Sequence, residues 1–351
     1  MSPQPLKRLY QAATSAALRR DQIEMEGIER LLSPLVPARA PRPVAAAAIR
    51  RIADGGFQSI LCPVDFSPQS RIALRYAAAL ARRSHGRLSV LYVNDPLLVA
   101  AAGIALHDRT LATRNLAELR RLVESTVSPA VLEPARVGDA VTSGTPADEI
   151  VRTAKRRRCD LIVMGTHGLT GADRLLIGST TGGVLRRASV PVLAIPAGSG
   201  TNRPRAVGPF WPGQRVIAAI AMDRRSLPHA RAAAAVAHWS GSALLLVHVV
   251  PEFKAPPWLR KRLGASDRAR IADARSRLDA LAASRRRQVK VDTRVLFGDA
   301  RREIAKAAAT ERAGLVMTSL HAPRDWFGPR RGSLSYDILS EVAIPVLALP
   351  G

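Results

Sequence analysis

The stretch Cys159-Asp-Leu-Ile-Val-Met-Gly-Thr-His-Gly168, followed after nine residues by Gly178-Ser-Thr-Thr181, decides how this chain folds. Asp160 to Met164 is a continuous apolar run that stops at glycine, the signature of a strand buried on both faces. Ser179 to Arg187 reads as a short helix and Val190 to Ile195 as a closing strand. Between strand and helix the pattern is Gly-x2-Gly-x9-Gly-Ser. Glycines remove the side chain where backbone must turn sharply or approach a ligand. Exposed amides in such a loop form an anion nest, and a helix that opens at Gly178-Ser179 points its free N–H groups at the same place. Ser179, Thr180 and Thr181 add hydroxyl donors. The combination predicts phosphate binding. No Gly-x4-Gly-Lys-Ser/Thr motif occurs and no lysine lies in the loop, so a charge clamp for phosphoryl transfer is missing.

Upstream, strands and helices alternate. Ser59 to Val64 is an apolar run that ends at Asp65. Ser67-Pro68 then starts a helix, with serine as N-cap and proline at its first position. Ile72, Tyr76 and Leu80 recur every four residues until Gly86. Leu88 to Val93 reads as a strand, Asp108 to Val123 as a helix and Ala135 to Val141 as a weaker strand. Pro146 to Arg156 is a helix with acids in its first turn and bases in its last. This alternation implies an α/β fold with a parallel sheet covered on both faces, whose ligands sit beyond the carboxyl ends of the strands. Asp65, Val93 and Gly165 all lie at such ends.

The pattern occurs twice. Ser189-Val-Pro-Val-Leu-Ala-Ile-Pro196 and Ala343-Ile-Pro-Val-Leu-Ala-Leu-Pro350 are near copies, and Cys159 to Gly165 falls on Ala313 to Ser319. His167 falls on His321 and Gly178-Ser179 on Gly332-Ser333. The starts align with a slightly longer offset, which places Asp65 on Asp223. The chain therefore divides into an extension (1–56), a first copy (57–198), a Gly/Pro/Ser-rich linker (199–213) and a second copy (214–351). The extension combines an amphipathic helix between Pro3 and Leu32 with a proline-rich stretch, Pro34 to Pro43.

Composition sets outer bounds. In 351 residues, 47% hydrophobic and 23% charged content excludes a disordered chain. No apolar run is long enough to span a bilayer and no secretory signal is read, so the expectation is a cytoplasmic protein. Two cysteines exclude a disulfide scaffold or cysteine metal cluster; both lie in apolar strands, as inert core residues do. The net charge of +25 is heaviest after residue 198. Such a field attracts anions without specificity. With aromatics at 4% and no RNA- or DNA-reading motif, a dedicated nucleic-acid role is not expected.

Ile60-Leu-Cys-Pro-Val-Asp-Phe-Ser67, Asp160 to Gly168, Gly178-Ser179 and Val190-Pro-Val-Leu-Ala-Ile195 together resemble the universal stress protein family, in a tandem two-domain form. The resemblance implies two doubly wound, five-stranded parallel sheets in strand order 3-2-1-4-5. It implies ATP, with Mg²⁺ as companion but no protein side chains as metal ligands. Asp65 with Pro63 and Val64 would meet the adenosine, and Val93 would line the adenine pocket. Met164, Gly165, His167 and Gly168 would flank ribose and phosphate, and Gly178, Ser179, Thr180 and Thr181 would hold the phosphates. The last strands would pair the two domains into an intramolecular pseudo-dimer, with homodimers and a protein partner also open.

The second copy departs from this pattern, with Ser319 for Gly165 and Ala322 for Gly168. If either glycine needs a positive φ, the change costs roughly 1–2 kcal/mol. The second copy is thus expected to bind ATP weakly or not at all. Asp65 has two readings, ligand contact and helix cap. His167 has no carboxylate or nucleophile spaced to work with it, so no catalytic residue is assigned. The leading reading is a non-enzymatic, ATP-binding sensor or regulator of a stress response. Its rivals are an interaction scaffold using the basic surface and an adenylating enzyme of the wider superfamily, whose characteristic loop after the first strand is not found here.

Overall fold

The structure is a computed structural model and describes residues 46–96, 99–100, 111–127, 136–167, 177–196, 211–213, 215–223, 225–252, 257–319 and 334–350. All belong to one compact unit, 42–351. In chain order the elements are α1 (Ala46–Gly55), β1 (Ser59–Val64), α2 (Pro68–Arg83), β2 (Arg87–Asn94), α3 (Leu111–Thr126), β3 (Val137–Ser143), α4 (Pro146–Arg156), β4 (Leu161–Gly165), α5 (Ser179–Arg187) and β5 (Val192–Ile195). The second half continues with β6 (Arg215–Ala219), α6 (Ser226–Ser240), β7 (Ala243–Val250), α7 (Pro257–Ala283), β8 (Val291–Phe297), α8 (Ala300–Thr310), β9 (Leu315–Ser319), α9 (Leu334–Glu341) and β10 (Val346–Leu349).

The two expected sheets are joined edge to edge into one sheet of ten strands, ordered β3-β2-β1-β4-β5-β10-β9-β6-β7-β8. Each half therefore has the order 3-2-1-4-5, parallel throughout. The join is antiparallel, with Leu347 opposite Leu193 and Val346 opposite Ala194. Strand residues alternate between two cores that both run across the join. Ile60, Cys62 and Val64 pack with α2, α6 and Leu347 on one face. Leu61, Ile162 and Met164 pack with α4, α5, α8 and α9 on the other. Both faces are covered, which is why the strands read as continuous apolar runs.

Helix α1 is not anticipated in the sequence, where the only helix assigned to the extension 1–56 falls between Pro3 and Leu32, outside the described residues. It leads into β1 of the first half, yet it packs on α6 of the second. Buried Ile52 and the partly buried Ile49, three residues earlier, lie on the side facing that core, so the helix rests on tertiary packing that a ten-residue segment could not replace by propensity. Gly56 follows, with φ +73°, tight against the Trp239 ring. Trp239 also meets Phe57 edge-on at 5.8 Å, and the Arg83 guanidinium lies 5.0 Å from its ring centre. Arg83 donates to the carbonyls of Trp211 and Trp239, both at 3.2 Å. Trp211, at the end of the expected linker, stacks edge-on with Tyr76 and donates to Gly314 O at 3.1 Å. Residues from both halves thus interlock beside the strand join. Linker residues 197–210 lie outside the described residues.

Sheet register corrects one detail of the repeat. Ile60 pairs with Leu88 and Leu161, and Val216 pairs with Leu244 and Leu315. The structural counterpart of Ile60 is therefore Val216, two residues earlier than the aspartate alignment requires. Asp65 corresponds to Ala221, not Asp223. Backbone conformation agrees: Phe66 (φ +62°) and Met222 (φ +60°) occupy the same left-handed corner. Two extra residues then precede α6, and Asp223 serves that turn by accepting from Arg225 N at 2.9 Å.

Candidate functional site

The chain leaves the carboxyl ends of β1 and β4 in opposite directions. From β1 it passes to α2, whose Ala73, Leu74 and Ala77 join the core with Ile60 and Val64. From β4 it passes to α5, whose Val184 and Leu185 join the other core. Since β1 and β4 are neighbours, the winding reverses between them, and in sheets of this kind that point is where the ligand crevice lies.

The crevice floor is built from the glycine stretch. Thr166 N donates to Ile195 O at 2.9 Å, carrying the β4 ladder one residue on. Gly178 N donates to Thr166 O at 2.8 Å, which brings the start of α5 back to the end of β4. Thr181 Oγ1 donates to Gly165 O at 2.8 Å and fixes the first turn of α5 in place. From below, α5 is held close to α4: a Cβ on Gly183 would come within 2.7 Å of Ala147 Cβ, and Arg187 pairs with Asp148. The N-cap of α5 is Gly178, which has no side chain to satisfy the first amides. Those orphan donors and the positive dipole end therefore face the crevice without a protein acceptor from the cap.

Two buried polar atoms flank this nest. His167 Nδ1 lies 2.8 Å from Thr166 Oγ1, while its Nε2 is buried and has no hydrogen-bond partner among the described residues. Gln69 Oε1 on α2 is likewise buried and without a partner there. A Cβ placed on Gly165 would stand 3.3 Å from Gln69 Cβ and 3.3 Å from His167 O. Gly165 thus allows α2 and the loop to close on β4. It does not have a positive φ, so the cost of Ser319 in the second half is not conformational.

The rim at β1 is shaped by Asp65. Its Oδ1 accepts from Ser67 N at 3.1 Å, and Ser67 Oγ caps α2 by accepting from Ser70 N at 3.1 Å. Asp65 remains half-exposed, so capping and ligand contact are compatible roles. Phe66 in its left-handed conformation stacks on Tyr92 at 4.7 Å. Burial, and then the Asp65 and Asp95 carboxylates, push the Tyr92 phenol above its ordinary range, so it stands as a neutral donor beside the crevice. At the end of β2, Asn115 Nδ2 donates to Asn94 Oδ1 at 2.6 Å.

The structure thus gathers Asp65, Gly165, His167, Gly178 and Thr181 at neighbouring strand ends and the first turn of α5, with Ser179 exposed and Thr180 half-buried. Gly168 lies outside the described residues. Two expected contacts change. Val64 is buried among core residues on the α2 face, and Met164 is buried on the α5 face, so neither side chain faces the crevice freely and their part is backbone. Pro63 sits inside the β1 ladder opposite Leu91, and Val93 is half-buried against the α5-side core. The Thr181 hydroxyl, expected to donate to phosphate, has its single proton on Gly165 O; it positions the nest. Replacing it, Thr181→Val, is expected to lower stability by about 1 kcal/mol in urea denaturation, and an unchanged midpoint would remove that bond from the site. Sequence reasoning missed Thr166 and Gln69. Thr166 lies inside the quoted motif, but nothing in a sequence shows that its carbonyl receives Gly178. Among the described residues no group of three or more His, Cys, Asp or Glu could hold a metal ion, and no helix is long and apolar enough to cross a membrane.

Comparison with known proteins points one way. The model of the Universal stress protein family matches twice, over residues 56–196 and 213–350. Two universal stress proteins of Methanocaldococcus jannaschii are similar in sequence. One is 28% identical over 153 residues, which is 40% of this chain and 94% of that protein. The other is 30% identical over 152 residues, 42% of this chain and 87% of that protein. A solved universal stress protein from Archaeoglobus fulgidus shares the two-half architecture, with a TM-score of 0.57 at 19% identity over 83% of this chain and 95% of its own.

Proposed function

Because the chain belongs to the universal stress protein family, we propose that its first half binds ATP and that occupancy of this one site is read out in a stress response. The observation that carries the reading is the uncapped start of α5, tied to β4 by Gly178 N on Thr166 O and by Thr181 Oγ1 on Gly165 O. The residues fit a nucleotide. Orphan amides at Ser179 and Thr180 suit phosphate oxygens, and the buried Nε2 of His167 and Oε1 of Gln69 need partners that a ribose or phosphate would supply. Asp65 and Tyr92 stand at the nucleoside end. Mg²⁺, where it accompanies the nucleotide, would ride on phosphate oxygens and water, as such ions commonly do.

The second half serves as structural partner. Its crevice has Ala221 where the first has Asp65, and Ser319 where the first has Gly165. The protein is non-enzymatic on this reading, since His167 Nδ1 is engaged by Thr166 Oγ1 and, among the described residues, no carboxylate is hydrogen-bonded to the ring. Its place in the cytoplasm belongs to the same proposal.

Mass spectrometry of small molecules released from the purified, denatured protein tests this directly. ATP carried through at one per chain is the expected result, followed by calorimetric titration giving a single site. Two equally tight sites would overturn the assignment of the second half. A released adenylate adduct would move the protein to the adenylating enzymes, and no nucleotide binding at all would leave the scaffold reading.

A further inference from the structure

Apart from the β1–β4 site, α1, α6 and the turn at 284–288 line an open cavity of about 720 Å³. Its size is that of a small-molecule site. The walls are apolar where the helices meet: Ile49 and Ala53 from α1, Ala234 and Ala235 from α6. The rim is cationic. Arg50, Arg231, Arg285 and Arg287 converge there, facing the single acid Asp54. None of these four arginines forms an ion pair among the described residues, unlike Arg215 and Arg294, which meet Glu311.

Arg285 is the most enclosed of the four. Its Nε donates to Ser284 Oγ at 3.0 Å, and its backbone is pinned by Arg285 N on Ala282 O and Gln288 N on Arg285 O. The turn is fastened further where His238 Nδ1 lies 3.0 Å from Gln288 O. Burial and the neighbouring Arg231 charge both make the Arg285 guanidinium less willing to hold its proton than usual. Four like charges on the rim of an apolar cavity outnumber its one acid, Asp54, and an anion seated between Arg231 and Arg285 would relieve their repulsion.

We infer that this cavity binds a small amphiphilic anion: an apolar body seated between α1 and α6, with a phosphate or carboxylate head held by Arg231 and Arg285. Guanidinium forks match either head in bidentate fashion. A nucleic-acid strand fits less well, since it would leave the apolar walls unfilled and finds no Phe, Tyr or Trp in the lining to stack on, the His238 ring being engaged with Gln288 O.

The test is calorimetric titration of the full chain with decyl phosphate below its micellar range, with and without saturating ATP. Binding at one per chain, indifferent to ATP, is expected. Decyltrimethylammonium, with the same tail and opposite charge, and inorganic phosphate, with the head alone, should each bind at least about 100-fold more weakly. Decanoate in place of decyl phosphate identifies the preferred head, and binding of either supports the site. The double variant Arg231→Gln, Arg285→Gln should weaken decyl phosphate about 30-fold or more while ATP uptake is unchanged. Ala53→Phe, which fills the cavity from α1 and leaves every cation in place, should do the same and serves if the double variant fails to fold. Equal binding of the cationic amphiphile, full affinity in either variant, or displacement of decyl phosphate by a short single-stranded oligonucleotide would each overturn the inference.

Discussion

Gly178→Val is expected to weaken ATP binding by about 100-fold or more, equivalent to roughly 2.7 kcal/mol, while leaving the fold intact. The two halves of that expectation rest on different facts. At φ −55° and ψ 148° the residue occupies extended backbone that valine adopts freely, and Gly178 N keeps its bond to Thr166 O. Loss of glycine at an N-cap costs the protein about 1 kcal/mol at most. The branched side chain, however, stands at the mouth of the orphan amides of Ser179 and Thr180, where a phosphate has to come within hydrogen-bond distance. Titration calorimetry of the variant, beside thermal denaturation without nucleotide, reads the two effects separately. Undiminished ATP affinity would show that the start of α5 is not the phosphate site. The matching change in the second half, Gly332→Val, should leave nucleotide binding as it was.

Gly56→Ala is expected to act the other way, costing stability and sparing ATP. An added Cβ would lie 2.3 Å from Trp239 Cε2 and 2.5 Å from Ser84 Oγ, and the backbone there has φ +73°. The left-handed conformation costs about 1–2 kcal/mol for a residue with a Cβ, and forcing a rigid indole aside adds about 1–3. A total near 3 kcal/mol lowers Tm by about 6–12 °C. Trp239 is also the ring under Arg83, whose two carbonyl contacts hold Trp211 and the end of α6. Damage should therefore spread along the seam between the halves. The proposed nucleotide site lies at the opposite end of β1, so ATP affinity measured well below Tm should stay within about 2-fold of the parent, since distant sites act independently. A variant as stable as the parent would mean that α1 and its following turn do not strap the halves together.

Much of this architecture could be read in the sequence, for identifiable reasons. Strands buried on both faces leave uninterrupted apolar runs, and β1, β2, β4 and β5 announced themselves in that way. Helices α4 and α5 were legible from Pro146 with its following acids and from Gly178-Ser179. Helix α1 was not, because an alanine run with two isoleucines makes too short a stripe to stand alone; its partner α6 is 180 residues away in sequence. The site was legible as a list and less so as an arrangement. Glycine spacing marks where backbone must be bare, and Asp65, Gly165 and Gly178 do converge on one crevice. Spacing does not show which hydroxyl is already engaged, so Thr181 looked like a ligand group and proves to be a fastening. The pairing of Asp65 with Asp223 failed for a related reason. Matching letters ignores the ladder of hydrogen bonds, and the ladder places Ala221 in that position. The second half has Ser319 in place of the bare floor residue and carries its turn aspartate, Asp223, two residues further along.

The antiparallel contact of β5 with β10 has one further consequence. Two identical subunits meeting across such an edge would share every inherited change, so a substitution that spoiled one pocket would spoil its twin. Here the partner is encoded downstream in the same gene and is always at hand, at an effective concentration that dilution cannot lower. Each copy is then free to drift by itself, and one can lose a residue such as Gly165 that the other keeps, as Ser319 shows.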